Sequence, residues 1–169
     1  KIEILNEANS YTEEVRRSIK EKYGFKKLYS EGLSIRTPLD VNYQLQAIIS
    51  LRNGIESYDR RQGWRGPITN KLTNSSWQKK IEELKIDPTL NWKIAEILEV
   101  NEFEIIFKTL KGIKNKITLK NLKWAVPGKK SISNRFNIGD IIFVKSEKNG
   151  WFLKQYPKVN GGIVVIDPH

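Results

Sequence analysis

The sequence predicts an α+β chain: helical segments leading into an all-β, five-stranded Greek-key barrel. Three observations carry this. The hydrophobic period changes from helical to strand-like at Trp92, five short apolar runs follow it, and glycine-containing turn signals stand between neighbouring runs. A chain of 169 residues that is 38% hydrophobic can form one or two compact domains with modest cores.

Taken in order, Ser10-Tyr11-Thr12-Glu13 has the spacing of a capping box and predicts a helix running to about Tyr23, with Gly24 suited to the left-handed position that ends it. Gly32–Thr37 alternates like a short strand that Pro38 stops from pairing further. Asp40 then caps a second helix from Val41, with Val41, Leu45, Ile48, Ile49 and Ile55 on one face that must be buried against something. This helix is expected to give way around Tyr58–Arg61, and Gly63-Trp64-Arg65-Gly66-Pro67 to form a rigid turn at a domain boundary.

Past the turn, Ser75 or Ser76 starts a short helix with Trp77, Ile81 and Leu84 on one side, ending before Asp87-Pro88. The expected strands are 92–100, 103–110, 113–119, 140–145 and 151–155, with turns at Lys111-Gly112 and Asn149-Gly150. Leu122–Ala125 followed by Pro127–Lys130 reads as the long connection of a Greek key, as in the oligonucleotide/oligosaccharide-binding (OB) fold. At the end, Gly161–Ile166 reads as a buried-type strand and Asp167-Pro168 as a turn. The chain opens at Lys1 and contains no methionine, so a longer natural N-terminus is expected.

Composition narrows the chemistry. Without cysteine there is no disulfide, thiol nucleophile or thiolate metal site, and the one histidine, His169, cannot build a triad or a histidine metal cluster by itself. No run approaches a membrane-spanning helix, and no phosphate-binding glycine loop occurs. The net charge of +11 is compatible with nucleic acid, an anionic membrane face or an anionic polymer, and its sign does not choose among them. Most of it is lysine interspersed with glutamate, the pattern of a solvated surface.

Ser76-Trp77-Gln78-Lys79 has the Ser-x-x-Lys spacing of serine acyltransferases, in which the lysine takes the serine proton. The companion Ser-x-Asn and Lys-Thr/Ser-Gly elements do not occur, so Ser76 reads as a helix cap. Glu13-Glu14 and Glu82-Glu83 are adjacent on helices, so their side chains diverge and read as solvated. Five tryptophans on a basic OB-like domain could stack nucleotide bases, yet Trp92, Trp124 and Trp151 sit where a barrel must fill its interior. The sequence therefore nominates no catalytic, cofactor-binding or metal-ligating residue.

Tyr29–Asp40 with Leu45-Gln46, and then Tyr58–Pro67, resemble class A penicillin-binding proteins of the 1A type. Leu122–Ala125, Ile138–Ile142, Gln155–Gly161 and Ile163–His169 extend the resemblance, in order, over nearly the whole chain. Pro38 departs from it, standing where such proteins commonly show a second threonine.

The resemblance implies a bifunctional cell-wall synthase on the periplasmic side of the bacterial inner membrane, anchored by an N-terminal transmembrane helix absent from this sequence. Its glycosyltransferase would lie upstream and its transpeptidase mainly downstream of this segment, with the nucleophilic serine following Asp167–His169. By this resemblance residues 1–28 are the helical tail of an interdomain linker, and 29–67 a linker strand and the leading helix of the transpeptidase. Residues 68–158 are an OB-type docking domain, and 159–169 the first transpeptidase strand. No catalytic residue and no cofactor fall in this segment.

The implied partners are the two enzymatic domains of the same parent, with a regulatory envelope protein or peptidoglycan as an outside ligand and no nucleic acid. The alternatives are a purely structural spacer and, from a different class, a domain binding single-stranded nucleic acid. Dimerisation or strand exchange through the apolar 41–55 face and 161–166 is a further expectation.

Overall fold

Local chemistry places the helices of the computed structural model, which describes residues 9–128 and 131–166. Helix α1 (Asn9–Ser30) is broken at Gly24, whose φ of 82° and ψ of 164° are non-helical. The break falls where the sequence places the helix end, but the helix resumes beyond it. Arg16 before the break donates to the Tyr29 hydroxyl beyond it at 2.8 Å, holding the bend. Ser10 lies within the helix, and Glu13 reaches forward to Arg16 and not back along the chain, so the capping box does not form.

Helix α2 (Val41–Arg61) starts as expected: the Asp40 carboxylate accepts from the amides of Asn42 (2.8 Å) and Tyr43 (3.0 Å). Of its apolar stripe, Leu45, Ile48 and Ile55 are half-buried while Val41 and Ile49 remain exposed.

Two expected strands are absent. Gly32–Thr37 and Gly161–Ile166 are irregular, and Ile163–Ile166 are exposed. Alternation or β-branching gives a segment the capacity to pair, but a strand exists only where a neighbour supplies the ladder, and no described strand lies against either segment. Lys129, Lys130 and Asp167–His169 lie outside the described residues.

The described fold divides into two compact units, one of residues up to Ile55 and from Asn160 onward, the other Glu56–Val159. The second holds the sheet: β1 (Thr69–Asn70), β2 (Lys93–Val100), β3 (Glu104–Thr109), β4 (Lys114–Thr118), β5 (Asp140–Glu147) and β6 (Gly150–Lys154). The sequence foresaw all but the two-residue β1, which is too short to show a period. Strands β2–β4 form an antiparallel meander, and β5 crosses over to pair with β2. The other edge of β5 is shared by β1 at its start and β6 at its end. Strands β4 and β6 meet without a ladder, so the barrel closes by side-chain packing.

A register shift between Ile97 and Glu99 inserts Leu98 as a bulge and lets β2 bend between its two partners. The Greek-key connection is not plain loop: it contains α4 (Leu119–Leu122) and a 3₁₀ turn at Ile132–Asn134. A further short helix, α3 (Trp77–Glu82), precedes the barrel.

The interior follows from strand alternation. Ala95 and Ile97, Ile105 and Phe107, Ile117, Ile142 and Val144, and Leu153 point inward and are buried, while Leu122, Ile132 and Phe136 plug the barrel from the connection. Each of these side chains larger than alanine contributes about 1.5–3 kcal/mol by leaving water. The result is the OB-like Greek-key barrel with helical segments that the sequence predicts.

Candidate functional site

The only acyltransferase-like spacing in the sequence lies on open surface. Ser76 occupies the N-cap position of α3, but its hydroxyl makes no capping bond, and its amide is taken by the Asn74 side chain at 2.9 Å. Ser76 and Lys79 are both exposed. Glu13 and Glu14 each pair with an arginine one turn ahead, and no group of three or more metal-ligating side chains occurs among the described residues. Trp124 and Trp151 pack against the core, and Trp92 packs at a tilt against Phe143 and meets Tyr156 edge-on.

Polar side chains do converge where the chain enters and leaves the second unit. The last turn of α2 brings Asp59 to a position only 3% exposed. Gly63 at φ 87° and Gly66 at φ 101° fold the next residues back on the helix, which aims Arg65 at that carboxylate. The guanidinium donates to both oxygens, at 2.8 and 3.0 Å, the fork geometry in which an arginine–carboxylate pair is strongest.

The outgoing segment, more than ninety residues later, closes on the same pair. Gln155 donates to Asp59 Oδ2 at 2.8 Å and to the Gly63 carbonyl at 3.1 Å, and its own carbonyl accepts from the Arg65 amide at 2.8 Å. The Lys158 amide donates to Asp59 Oδ1 at 3.2 Å, and Arg65 donates to the Tyr156 carbonyl at 2.7 Å. Burial pushes the Asp59 carboxyl upward, but the bonds from Arg65, Gln155 and Lys158, together with the arginine charge, outweigh it and hold the group below its ordinary value.

Two further contacts flank this clasp. Lys154, buried at the end of β6, donates to Glu56 at 2.8 Å and lies 3.3 Å from Glu147. Arg60 lies over the Trp124 ring at 5.5 Å, and Trp124 meets Trp64 edge-on at 5.8 Å. Trp64 also packs on Phe136, and Arg135 donates to the carbonyls of Trp64 (2.6 Å) and Ala125 (3.2 Å). The arrangement is mechanical in kind: it fixes the incoming helix end beside the outgoing strand, with aromatic packing on a third side.

Sequence reading placed a helix end at Tyr58–Arg61, a rigid turn at Gly63–Pro67 and a strand over 151–155, and connected Tyr58–Pro67 with Gln155–Gly161 only through resemblance. No periodic signal links Asp59 to a glutamine 96 residues away.

Comparison with known proteins agrees with this architecture. The family model described as the penicillin-binding protein OB-like domain matches residues 64–159. Penicillin-binding protein 1A of Rickettsia felis is 39% identical over 158 residues, covering 93% of this chain and 20% of that protein. The protein of the same name from Escherichia coli K12 is 27% identical over 180 residues, covering 98% of this chain and 21% of that one. The crystal structure of penicillin-binding protein 1A from Haemophilus influenzae superposes with a TM-score of 0.63 at 23% identity, over 88% of this chain and 22% of that chain, and so shares the fold. The chain spans about a fifth of the length of the relatives it matches. With a barrel of this topology and matching sequence over most of its length, the chain belongs to the penicillin-binding protein OB-like domain family.

Proposed function

We propose that this chain is a non-catalytic docking and spacing segment of a bifunctional cell-wall synthase. The parent polymerises glycan strands and cross-links their peptides on the periplasmic side of the inner membrane. The observation that carries the reading is the Asp59–Arg65–Gln155 clasp, which holds the two ends of an inserted barrel side by side. A module so held can be carried on a neighbouring domain without spreading the chain that bears it. In this reading residues 1–28 are linker helix, 29–67 lead into the transpeptidase, 68–158 are the docking barrel and 159–169 return to the transpeptidase. The glycosyltransferase and transpeptidase of the same chain are its standing partners.

The test is removal of residues 68–158 from the parent, with a short linker across the gap, followed by separate assays of glycan polymerisation and peptide cross-linking in envelope extract. Docking predicts that both activities survive while their coordination and their response to other envelope proteins are lost. Unaltered coordination and localisation would identify a passive spacer. Acylation of the isolated chain by a fluorescent penicillin would overturn the non-catalytic reading altogether.

A further inference from the structure

The charge of the molecule is unevenly placed. Residues 56–159 contain 21 lysines and arginines against 11 aspartates and glutamates, so this unit carries +10 of the +11 total. Part of that excess gathers on the β3–β4 hairpin, where Lys108, Lys111, Lys114 and Lys116 fall within nine residues and are all exposed. Lys108 and Lys114 face each other directly across the ladder, an arrangement of like charges that is itself unfavourable. Lys116 is neutralised by Glu104 at 2.9 Å, and Lys114 has only the exposed Glu99 at 3.8 Å. Lys108 and Lys111 have no ion-pair partner among the described residues.

Between these lysines the tip presents aliphatic side chains to water: Leu110 is 54% and Ile113 41% exposed. The tip is well held. The Thr109 amide donates to the Ile113 carbonyl at 2.9 Å, the Gly112 amide donates to the Thr109 carbonyl at 2.8 Å, and the Ile113 amide donates to the Thr109 hydroxyl at 3.0 Å. Gly112 takes φ 90°, and the Leu110 amide is tied to the Ile94 carbonyl of β2 at 3.1 Å. An ordered apolar tip costs little further conformational entropy when it engages a ligand.

We propose that the β3–β4 tip docks on the surface of an anionic phospholipid bilayer, with Leu110 and Ile113 entering the headgroup boundary and Lys108, Lys111 and Lys114 engaging lipid phosphates. Charge complementarity and the pairing of aliphatic with cationic side chains favour this occupant over others. A soluble polyanion needs the lysines but has no use for the aliphatic pair. A stacked base needs an aromatic ring, and residues 108–116 contain none. A bilayer surface uses both features, since aliphatic side chains partition into the interface while lysine stems extend and keep their ammonium groups at the phosphates.

The test is flotation of the 169-residue chain with vesicles of phosphatidylcholine alone and of equal parts phosphatidylcholine and phosphatidylglycerol. Binding is expected only to the anionic vesicles and should weaken as salt rises. Lys111→Glu should weaken it at least fivefold, since one lysine near such a surface contributes about that factor. Leu110→Ser with Ile113→Ser should weaken it about tenfold while the urea midpoint stays near that of the parent sequence.

Because the chain has no cysteine, a polarity-sensitive fluorophore on Ile113→Cys gives an independent readout, and its emission should shift to the blue with anionic vesicles only. No flotation with anionic vesicles would overturn the proposal. So would undiminished binding by the double serine variant with no emission shift, which would indicate adhesion by general charge and point to an anionic polymer as the ligand.

Discussion

Asp59 shows how a buried charge becomes a fastener. Its carboxylate accepts from two guanidinium nitrogens, a side-chain amide and a backbone amide, so the bonds that make its burial tolerable also join chain segments almost a hundred residues apart. Asp59→Asn should lower the unfolding free energy of the second unit by about 2–3 kcal/mol in urea titrations, less than for a fully buried pair because Arg65 retains some water. The pH dependence follows from the depressed carboxyl. A group whose folded value lies below its unfolded one stabilises at pH values above the ordinary carboxylate range and loses that contribution as pH falls through the folded value. The parent and Asp59→Asn urea midpoints should therefore differ at neutral pH and converge in acid. Around Lys154, Glu147→Ala should change stability by no more than about 0.5 kcal/mol, because its side chain is 40% exposed. Glu56→Ala leaves a buried ammonium short of its nearest carboxylate and should cost about 2 kcal/mol, measured the same way.

At the level of elements, glycine decides where two of them turn. Gly24 sits in a backbone region that is nearly glycine-only, with nothing within 4 Å of an added Cβ. Gly24→Ala should therefore penalise the bend and not the packing, straightening α1 and raising helical ellipticity at 222 nm. Gly139 differs: at φ 84° an added Cβ would also lie 2.7 Å from Leu72 Cγ, so Gly139→Ala should destabilise the β1–β5 contact by about 1–2 kcal/mol in urea unfolding. The sequence announced the Gly24 break, the Asp40 cap and the five long strands because each rests on a local rule: allowed φ, a reachable amide, a two-residue period. Segments 32–37 and 161–166 have the pattern of strands but no ladder among the described residues, because pairing is not local, and β1 was missed because two residues carry no period. The Asp59 clasp was invisible for a related reason. Nothing near Asp59 in the sequence indicates that Gln155 will fold against it, whereas Trp124 was recognisable as a packing residue without showing that Arg60 would lie over it.

For the whole molecule, charge and exposed apolar surface pull in different directions. The positive excess of the second unit opposes self-association, while Ile163–Ile166 present four consecutive β-branched residues, Val164 at 80% exposure, with no strand against them. Concentration-dependent association is expected in sedimentation at high protein concentration, and Val164→Lys should suppress it; a strictly monomeric profile would show that the segment stays unpaired. The clasp bears on the molecule in another way. Since the Lys158 amide lies within hydrogen-bonding reach of Asp59, the barrel begins and finishes at nearly one point, like a bead on a short stalk. Such a bead can be lifted out, exchanged for another, or cut elsewhere and rejoined at the stalk. A version opened at the exposed Lys148-Asn149 turn and sealed between its old ends should still fold, which would explain how a longer chain could gain or lose this domain without redesign of its remaining parts.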